Sequence, residues 1–192
     1  MEVLGATKVN LKSEAGVLKG WVVNPGMPKA LIYFGGNGEQ VERNADFFIN
    51  CLPHHSIYLI PYRGYGGNPG SPSQEGLFSD ALLLEALVKS RHSAVSIMGR
   101  SLGTGVAVYV ASKRPIEKLL LITPYDSIAD FAAEKYPAFP VRFLVKDRYD
   151  SVEYAKSVNA DVKILIAADD DIIPPSHSLL LAKAFNQTPI VK

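Results

Sequence analysis

Residues 95–105 constrain the fold of this chain more than any other stretch. A short apolar run, Val-Ser-Ile-Met, leads into Gly99-Arg-Ser-Leu-Gly103 and then into an apolar pattern of helical period. A strand that turns sharply into a helix through Gly-x-Ser-x-Gly lifts the serine hydroxyl onto a strained corner, the nucleophile elbow. We expect both glycines to be required, because side chains there would collide with the neighbouring strand and helix. The pattern therefore predicts a nucleophile at Ser101, and a glycine-flanked serine at an ordinary turn is the alternative.

Strands and helices alternate along the rest of the chain. Near-continuous apolar runs of strand length occupy residues 30–34, 57–60, 95–98, 119–123 and 162–167, and such runs are typical of a parallel sheet that is covered on both faces. Helical stripes lie between them, and two half-exposed strands at 7–12 and 17–23 precede them. This order predicts an α/β fold, a doubly wound and mostly parallel sheet with helices on both faces, in a single domain over residues 1–192.

Residues 124–161 interrupt this alternation. Two or three short helical pieces replace the single expected crossover, with prolines between them. This helical insertion leaves the carboxyl edge of a strand, so it is placed to form a small lid over Ser101. Its large apolar side chains are expected mainly in the core, and a pocket for an acyl group is the alternative. They are Tyr125, Phe131, Tyr136, Phe139, Phe143 and Leu144.

Charge and cysteine content exclude several kinds of partner. The 192 residues include 20 basic and 19 acidic side chains, so no electrostatic reason exists to expect nucleic acid. No run resembles a signal peptide or reaches the length of a membrane span. The single Cys51 cannot form an internal disulfide, and we expect it to be a buried structural cysteine. The sequence therefore predicts a cytoplasmic protein and leaves its oligomeric state open.

Two loops at the carboxyl ends of strands hold the candidate partners of Ser101. Gly35-Gly-Asn-Gly38 follows the 30–34 strand, and we expect the backbone amides of Asn37 and Leu102 to form an oxyanion hole. Asp169-Asp-Asp171 follows the 162–167 strand, where an elbow enzyme carries its acid. We interpret these carboxylates as one catalytic acid and two solvated residues. No histidine or further acid has the spacing of a metal ligand, so no metal site is predicted.

These motifs resemble the α/β-hydrolase superfamily, in particular its small serine hydrolases of the esterase, acyl-thioesterase and peptidase-like branch. The resemblance covers nearly the whole chain and rests on five stretches. They are Phe34-Gly-Gly-Asn-Gly38, Pro61-Tyr-Arg-Gly-Tyr-Gly66 with Pro72-Ser-Gln-Glu-Gly-Leu77, Gly99-Arg-Ser-Leu-Gly103, Thr123-Pro-Tyr-Asp-Ser127 and Asp170-Asp-Ile-Ile-Pro174. It implies Ser-His-Asp chemistry on a carboxylic ester or thioester, with no cofactor. The family's aspartate four residues before a proline implies Asp170 as the acid, with Asp169 and Asp171 as alternatives.

The same resemblance assigns two further positions. Arg63 is expected to be an ion-pairing scaffold residue rather than a catalyst. Gly35 departs from the family, whose members usually carry histidine there.

The base that the resemblance implies is not found in this sequence. The family's histidine lies on a loop after the last strand, and residues 189–192 are expected to begin that strand. His177, in the first turn of the helix after Asp170, is the one candidate substitute, because His54, His55 and His92 precede strands at the opposite edge. We therefore expect a truncated form of a longer hydrolase that lacks its C-terminal strand, loop and helix. As given, it would keep its fold and pocket but have little activity.

Two alternatives to an esterase or thioesterase stay open. One is a peptidase or dienelactone-hydrolase-like enzyme on the same scaffold. The other is a non-catalytic binding protein that has lost its base. The expected partner is a small-molecule or acylated substrate.

Overall fold

The computed structural model describes residues 5–136, 144–170 and 172–192. Its described strands form one eight-stranded sheet. In chain order they are β1 (Ala6–Ser13), β2 (Gly16–Val23), β3 (Lys29–Phe34), β4 (His55–Leu59), β5 (Ala94–Arg100), β6 (Lys118–Ile122), β7 (Asp161–Leu165) and β8 (Ile190–Val191).

The strand order across the sheet is β1-β2-β4-β3-β5-β6-β7-β8. β1 pairs with β2, and β2 with β4, in antiparallel fashion. Every further neighbouring pair, from β4 to β8, is parallel. The predicted mostly parallel sheet and the antiparallel pair at the start of the chain are therefore confirmed. A strand is also present within residues 189–192, as predicted, because Ile190 of β8 lies beside Lys163 of β7.

Six described α-helices and one 3₁₀ turn, at Val41–Asn44, connect the strands. The helices are α1 (Ala45–Cys51), α2 (Gln74–Lys89), α3 (Leu102–Lys113), α4 (Ile128–Lys135), α5 (Ser151–Ala155) and α6 (Pro175–Ala184). The Ser73 hydroxyl caps α2 by accepting a hydrogen bond from the Gly76 amide at 3.2 Å, which satisfies a backbone donor that has no intrahelical partner.

Apolar layers cover both faces of the sheet. Consecutive residues of β3 point to opposite layers, as the two-residue period of a strand requires. Ile32 packs in the larger layer with residues of α2, α3 and α6, such as Val106 and Leu181. Tyr33 packs in the smaller layer against Phe48 of α1. Helices on both faces are thereby confirmed, and the sheet positions its carboxyl edge for the loops that follow β3, β5, β6 and β7.

The predicted insertion between β6 and β7 contains α4 and α5. Phe139 and Phe143 lie outside the described residues. Tyr125 is buried as expected, whereas Tyr136 and Leu144 are exposed, so the core prediction is wrong for these two. The prediction of a buried cysteine is also wrong, because Cys51 is exposed. It ends α1, a short helix that turns only one stripe, including Phe48, towards the sheet.

Candidate active site

Ser101 occupies the turn between β5 and α3 in a backbone conformation that side chains rarely adopt. Its φ of 49° and ψ of −120° fall outside the broadly allowed regions for a residue other than glycine. The turn is held in place by the Ser101 amide, which donates to the Ile122 carbonyl of β6 at 3.0 Å. Such strain persists only where the surrounding structure fixes it, and it concentrates at functional sites.

The two glycines of the elbow are required for steric reasons, as the sequence predicts. A Cβ at Gly99 would lie 2.6 Å from the Gly103 carbonyl oxygen, inside the first turn of α3. A Cβ at Gly103 would overlap the Phe34 carbonyl at the end of β3. Because neither glycine carries a side chain, α3 can approach the sheet closely enough to place Ser101 at its edge.

A cavity of about 350 Å³ opens at Ser101. This volume lies at the lower end of the range for small-molecule sites, which are mostly apolar with a few placed polar groups. Loops after four of the parallel strands and the insertion contribute to its wall. The lining residues are Asn37, Tyr65, Pro72, Ser73, Leu77, Ser101, Leu102, Tyr125, Ile128, Phe131, Asp147, Tyr149, Ile172 and Ile173.

The candidate oxyanion loop, residues 35–38, lies directly against the elbow. A Cβ at Gly36 would be 3.6 Å from the Ser101 Cβ, and Asn37 lines the cavity together with Leu102. Leu102 is the first residue of α3, so its amide has no intrahelical acceptor and stands at the positive end of the helix dipole. The Asn37 side chain accepts a hydrogen bond from the Tyr65 hydroxyl at 2.7 Å, which fixes the tip of the loop.

The loop after β7 reaches the same cavity through Ile172 and Ile173. Asp170 is half-buried, and its Oδ1 accepts hydrogen bonds from the amides of Ile172 and Ile173, each at 2.9 Å. Asp169 is exposed, and Asp171 lies outside the described residues. The assignment of Asp170 as the acid stays a prediction, supported by the ordered turn that its carboxylate makes.

His177 lies away from the serine cavity. Its side chain is buried in the first turn of α6, where Nδ1 donates to Asp126 Oδ1 at 2.7 Å. Its Nε2 is 3.1 Å from the exposed Glu134 carboxylate and lines a separate hollow with Phe131. The candidate substitute base is thus engaged in a buried pair with an aspartate that sequence reasoning did not single out. Both residues follow adjacent parallel strands, β6 and β7, and that shared edge was the available signal.

The remaining histidines of the chain lie at the opposite edge of the sheet, as expected. His55 begins β4, and burial lowers the pKa of its imidazole. His92 precedes β5 and contacts the Tyr58 hydroxyl at 2.9 Å and the Met27 carbonyl at 2.8 Å. No histidine of the described residues lines the cavity at Ser101.

Arg63 forms an ion pair, as the resemblance implies. Its guanidinium makes two hydrogen bonds of 2.8 Å to the Asp80 carboxylate of α2, and both side chains are largely buried. This bidentate pair fixes the 61–72 loop. The same loop supplies Tyr62, whose hydroxyl donates to the Gly35 carbonyl at 2.8 Å, so the pair supports the candidate oxyanion loop from behind.

Among the described residues, no group of three or more histidine, cysteine, aspartate or glutamate side chains is arranged to hold a metal ion. None of the helices in the described ranges combines the length and apolar character needed to cross a bilayer.

Comparison with known proteins gives several relatives by sequence. An uncharacterized protein of Mycobacterium tuberculosis is 40% identical over 133 residues, which cover 67% of this chain and 47% of that protein. The alpha/beta hydrolase domain-containing protein WAV2 of Arabidopsis thaliana is 27% identical, over 70% of this chain and 50% of its own. Lysophosphatidylserine lipase ABHD12 of Danio rerio is 34% identical, over 66% of this chain and 38% of its own. The chain thus spans about half the length, or less, of these relatives. No family model matches it.

Solved structures share its fold. Acetyl xylan esterase 1 from Thermoanaerobacterium superimposes with a TM-score of 0.77 at 19% identity, covering 100% of this chain and 78% of the esterase. The esterase Pf2001 of Pyrococcus furiosus gives 0.72 at 16% identity, covering 97% and 78%. The strand order and the elbow at Ser101 are those of an α/β-hydrolase fold. Together with the sequence relatives, they show that the chain belongs to the α/β-hydrolase superfamily.

Proposed function

We propose that the full-length protein is a serine hydrolase of carboxylic esters or thioesters, with Ser101 as its nucleophile. The observation that carries this proposal is the strained Ser101 backbone at the mouth of a mainly apolar cavity. Strain of this kind is retained where function requires it. The esterases and the lipase among the similar proteins favour the same chemistry.

In the proposed reaction the Ser101 oxygen adds to the carbonyl carbon while a histidine takes the hydroxyl proton. The resulting oxyanion accepts hydrogen bonds from the Asn37 and Leu102 amides, and each such donor contributes about 3 kcal/mol to the transition state. The bond from carbon to the leaving oxygen or sulfur then breaks, and the histidine returns its proton to that atom. Water hydrolyses the acyl-serine by the same steps, which releases a carboxylic acid and restores Ser101.

The histidine is proposed to lie on the loop that follows β8, with Asp170 as the residue that orients it. Two observations support this arrangement. The Asp170 turn adjoins the serine cavity through Ile172 and Ile173, and β8 is the neighbour of β7 in the sheet. A loop after β8 therefore leaves the sheet beside the Asp170 loop, at the same carboxyl edge.

The cavity wall favours an apolar acyl group over a peptide. Large apolar side chains from the insertion and the Asp170 loop, including Ile128, Phe131 and Ile173, form much of it. Among the described residues, the one carboxylate in the wall is Asp147, whose Oδ1 already accepts from the Gln74 backbone amide at 2.9 Å. Hydrolysis of a lipid-like ester, as the name of ABHD12 indicates for that relative, fits this lining.

The test is ester hydrolysis by the full-length gene product, with Ser101→Ala as the control. We expect turnover of p-nitrophenyl esters, labelling of Ser101 by a fluorophosphonate, and loss of both in the alanine variant. A substrate panel of esters, thioesters and amides would reveal a peptidase by amide cleavage with inert esters. Equal hydrolysis by the parent and the variant would refute the nucleophile. No turnover and no labelling in the parent would favour a binding protein.

A further inference from the structure

Glu39 occupies the back of the candidate oxyanion loop, and its carboxylate binds four groups there. Oε2 accepts from the Gly36 amide at 2.6 Å. Oε1 accepts from the Tyr33 hydroxyl and from the Asn44 side-chain amide, each at 2.8 Å. The Arg100 guanidinium lies 3.7 Å from Oε1. One carboxylate thus connects β3, the loop and the residue immediately before Ser101.

The backbone of Glu39 also binds the loop. Its amide donates to the Gly36 carbonyl at 3.2 Å, while its side chain accepts from the Gly36 amide. The side-chain bond is the glutamate half of a capping box. Gly36 has no side chain to supply the other half, and its carbonyl accepts from the Glu39 amide instead, so two hydrogen bonds fix this turn. Because the carboxylate occupies the backbone amide of Gly36, that amide does not serve the oxyanion, and we assign this role to the backbone amide of Asn37.

The Glu39 carboxylate is mostly buried, with 16% of its side chain exposed. Burial alone would raise the pKa of this carboxyl, but hydrogen bonds from Gly36, Tyr33 and Asn44 outweigh it and hold the pKa below its ordinary value. The contacts of the loop therefore favour the charged form of the Glu39 carboxylate. Burial, and to a smaller extent the hydrogen bond to Glu39, raises the pKa of the Tyr33 phenol.

We propose that Glu39 is a positioning residue that holds the 35–38 loop in the conformation in which the Asn37 amide faces the oxyanion. The proposal rests on the serine hydrolase function above. Glu39 touches no reacting atom and acts through the loop. Its loss should therefore weaken transition-state binding more than substrate binding.

The kinetic test compares Glu39→Ala, Glu39→Gln and a control, Glu42→Gln, in the full-length protein. Glu42 carries the same charge three residues away, and its Oε2 has no hydrogen-bond partner among the described residues. We expect Glu39→Ala to lower kcat about 100-fold, as for loss of one oxyanion donor, with KM within about 2-fold. Affinity for a trifluoromethyl ketone, which forms an oxyanion on Ser101, should fall by a similar factor. Glu39→Gln keeps one acceptor oxygen and should lie between Glu39→Ala and the parent.

Three results would overturn the proposal. The first is that Glu39→Gln and Glu39→Ala both keep the kcat and the ketone affinity of the parent. The second is that Glu42→Gln loses as much kcat as the Glu39 variants. The third is that the Glu39 variants raise KM and leave kcat unchanged. If Glu39→Ala does not fold, Glu39→Gln decides the outcome.

A second measurement needs no activity, so it separates this proposal from the proposed function. In the resting protein the Gly36 amide proton should exchange slowly with solvent, and Glu39→Gln should speed its exchange about 10-fold or more, unlike Glu42→Gln. Unchanged exchange of the Gly36 amide proton in Glu39→Gln would overturn the positioning role of Glu39 even in an active enzyme. Faster exchange in a protein without Ser101-dependent turnover would support the positioning role of Glu39 and refute the hydrolase function.

Discussion

Replacing Gly103 with alanine tests whether close contact between α3 and β3 builds the site. The new Cβ would overlap the Phe34 carbonyl oxygen and would lie 2.5 Å from the Phe34 carbonyl carbon and 2.6 Å from the Gly35 oxygen. All three are backbone atoms, and Phe34 is fixed in register beside Gly99 of β5. No side-chain rotation can relieve the contact, so the strand end and the helix must separate by about 1 Å to restore an ordinary van der Waals distance.

Two opposing effects set the magnitude of the change in stability. Alanine in place of glycine favours a helix by about 1 kcal/mol. Forcing extra volume into a packed region costs about 1–3 kcal/mol, and backbone neighbours place this site at the upper end. We therefore expect a net loss of about 2 kcal/mol in the free energy of unfolding. The same displacement moves Leu102 away from Asn37, and a 1 Å error in catalytic geometry lowers the rate about 100-fold.

The measurements are urea denaturation and ester hydrolysis by the full-length protein, with Gly105→Ala as the matched control. Gly105 lies in the same helix, but its Cβ would meet the Tyr125 hydroxyl, the end of a side chain. That hydroxyl donates to the Leu102 carbonyl at 3.1 Å, so some loss is expected there too, but smaller than at Gly103 because β3 stays in place. Parental stability and activity in Gly103→Ala, or a larger loss in Gly105→Ala, would refute the reasoning.

Three further predictions concern buried charges. Asp80→Asn should lower the free energy of unfolding by about 3 kcal/mol in urea denaturation, because it leaves the Arg63 guanidinium without its carboxylate. A loss of only about 0.5 kcal/mol, as for an exposed substitution, would contradict this. Burial raises the pKa of the Glu85 carboxyl against the opposing effect of Arg114. The folded state therefore binds more protons than the unfolded state, and the free energy of unfolding falls as the pH rises from the ordinary pKa of 4.5 through the raised value. Glu85→Gln should remove this fall in pH-dependent thermal unfolding, and an unchanged slope would count against it. Asp126→Ala should lower the free energy of unfolding by about 2–3 kcal/mol, because the His177 donor loses a charged acceptor. Asp126→Asn should lower it less. Equal losses of stability in thermal unfolding would show that the hydrogen bond contributes nothing.

Much of the fold was predictable because apolar periodicity reports burial directly. Strands covered on both faces read as continuous apolar runs, and β3 with its alternating Ile32 and Tyr33 meets two layers. The need for Gly99 and Gly103 followed from the elbow alone, since the geometry of that turn is local. The prediction for Cys51 failed because it ends a helix of seven residues, too short for a stripe pattern to assign every position to a face.

Side-chain partners across the sheet edge could not be read from the sequence. Three of the four groups that Glu39 binds lie within six residues of it along the chain. In the sequence, however, a lone glutamate after a glycine-rich turn cannot be distinguished from a solvated one. Asp126 and His177 are separated by 51 positions, and only the parallel order of β6 and β7 brings them together. Local patterns determine which elements form, whereas the approach of their ends determines which polar groups meet.

The Asp126–His177 pair shows why a histidine and an aspartate at the correct edge do not suffice for a triad. Both nitrogens of the imidazole have a neighbouring carboxylate: Nδ1 is bound to Asp126, and Nε2 lies beside Glu134 of α4. Phe131 packs against the imidazole with ring centroids 5.7 Å apart and lines the serine cavity, whereas His177 does not line it. The pair instead fastens the insertion to α6, directly after the Asp170 loop. We therefore expect the pair to hold two walls of the cavity, Phe131 and Ile173, in a fixed relation, and so to shape the site rather than to transfer a proton.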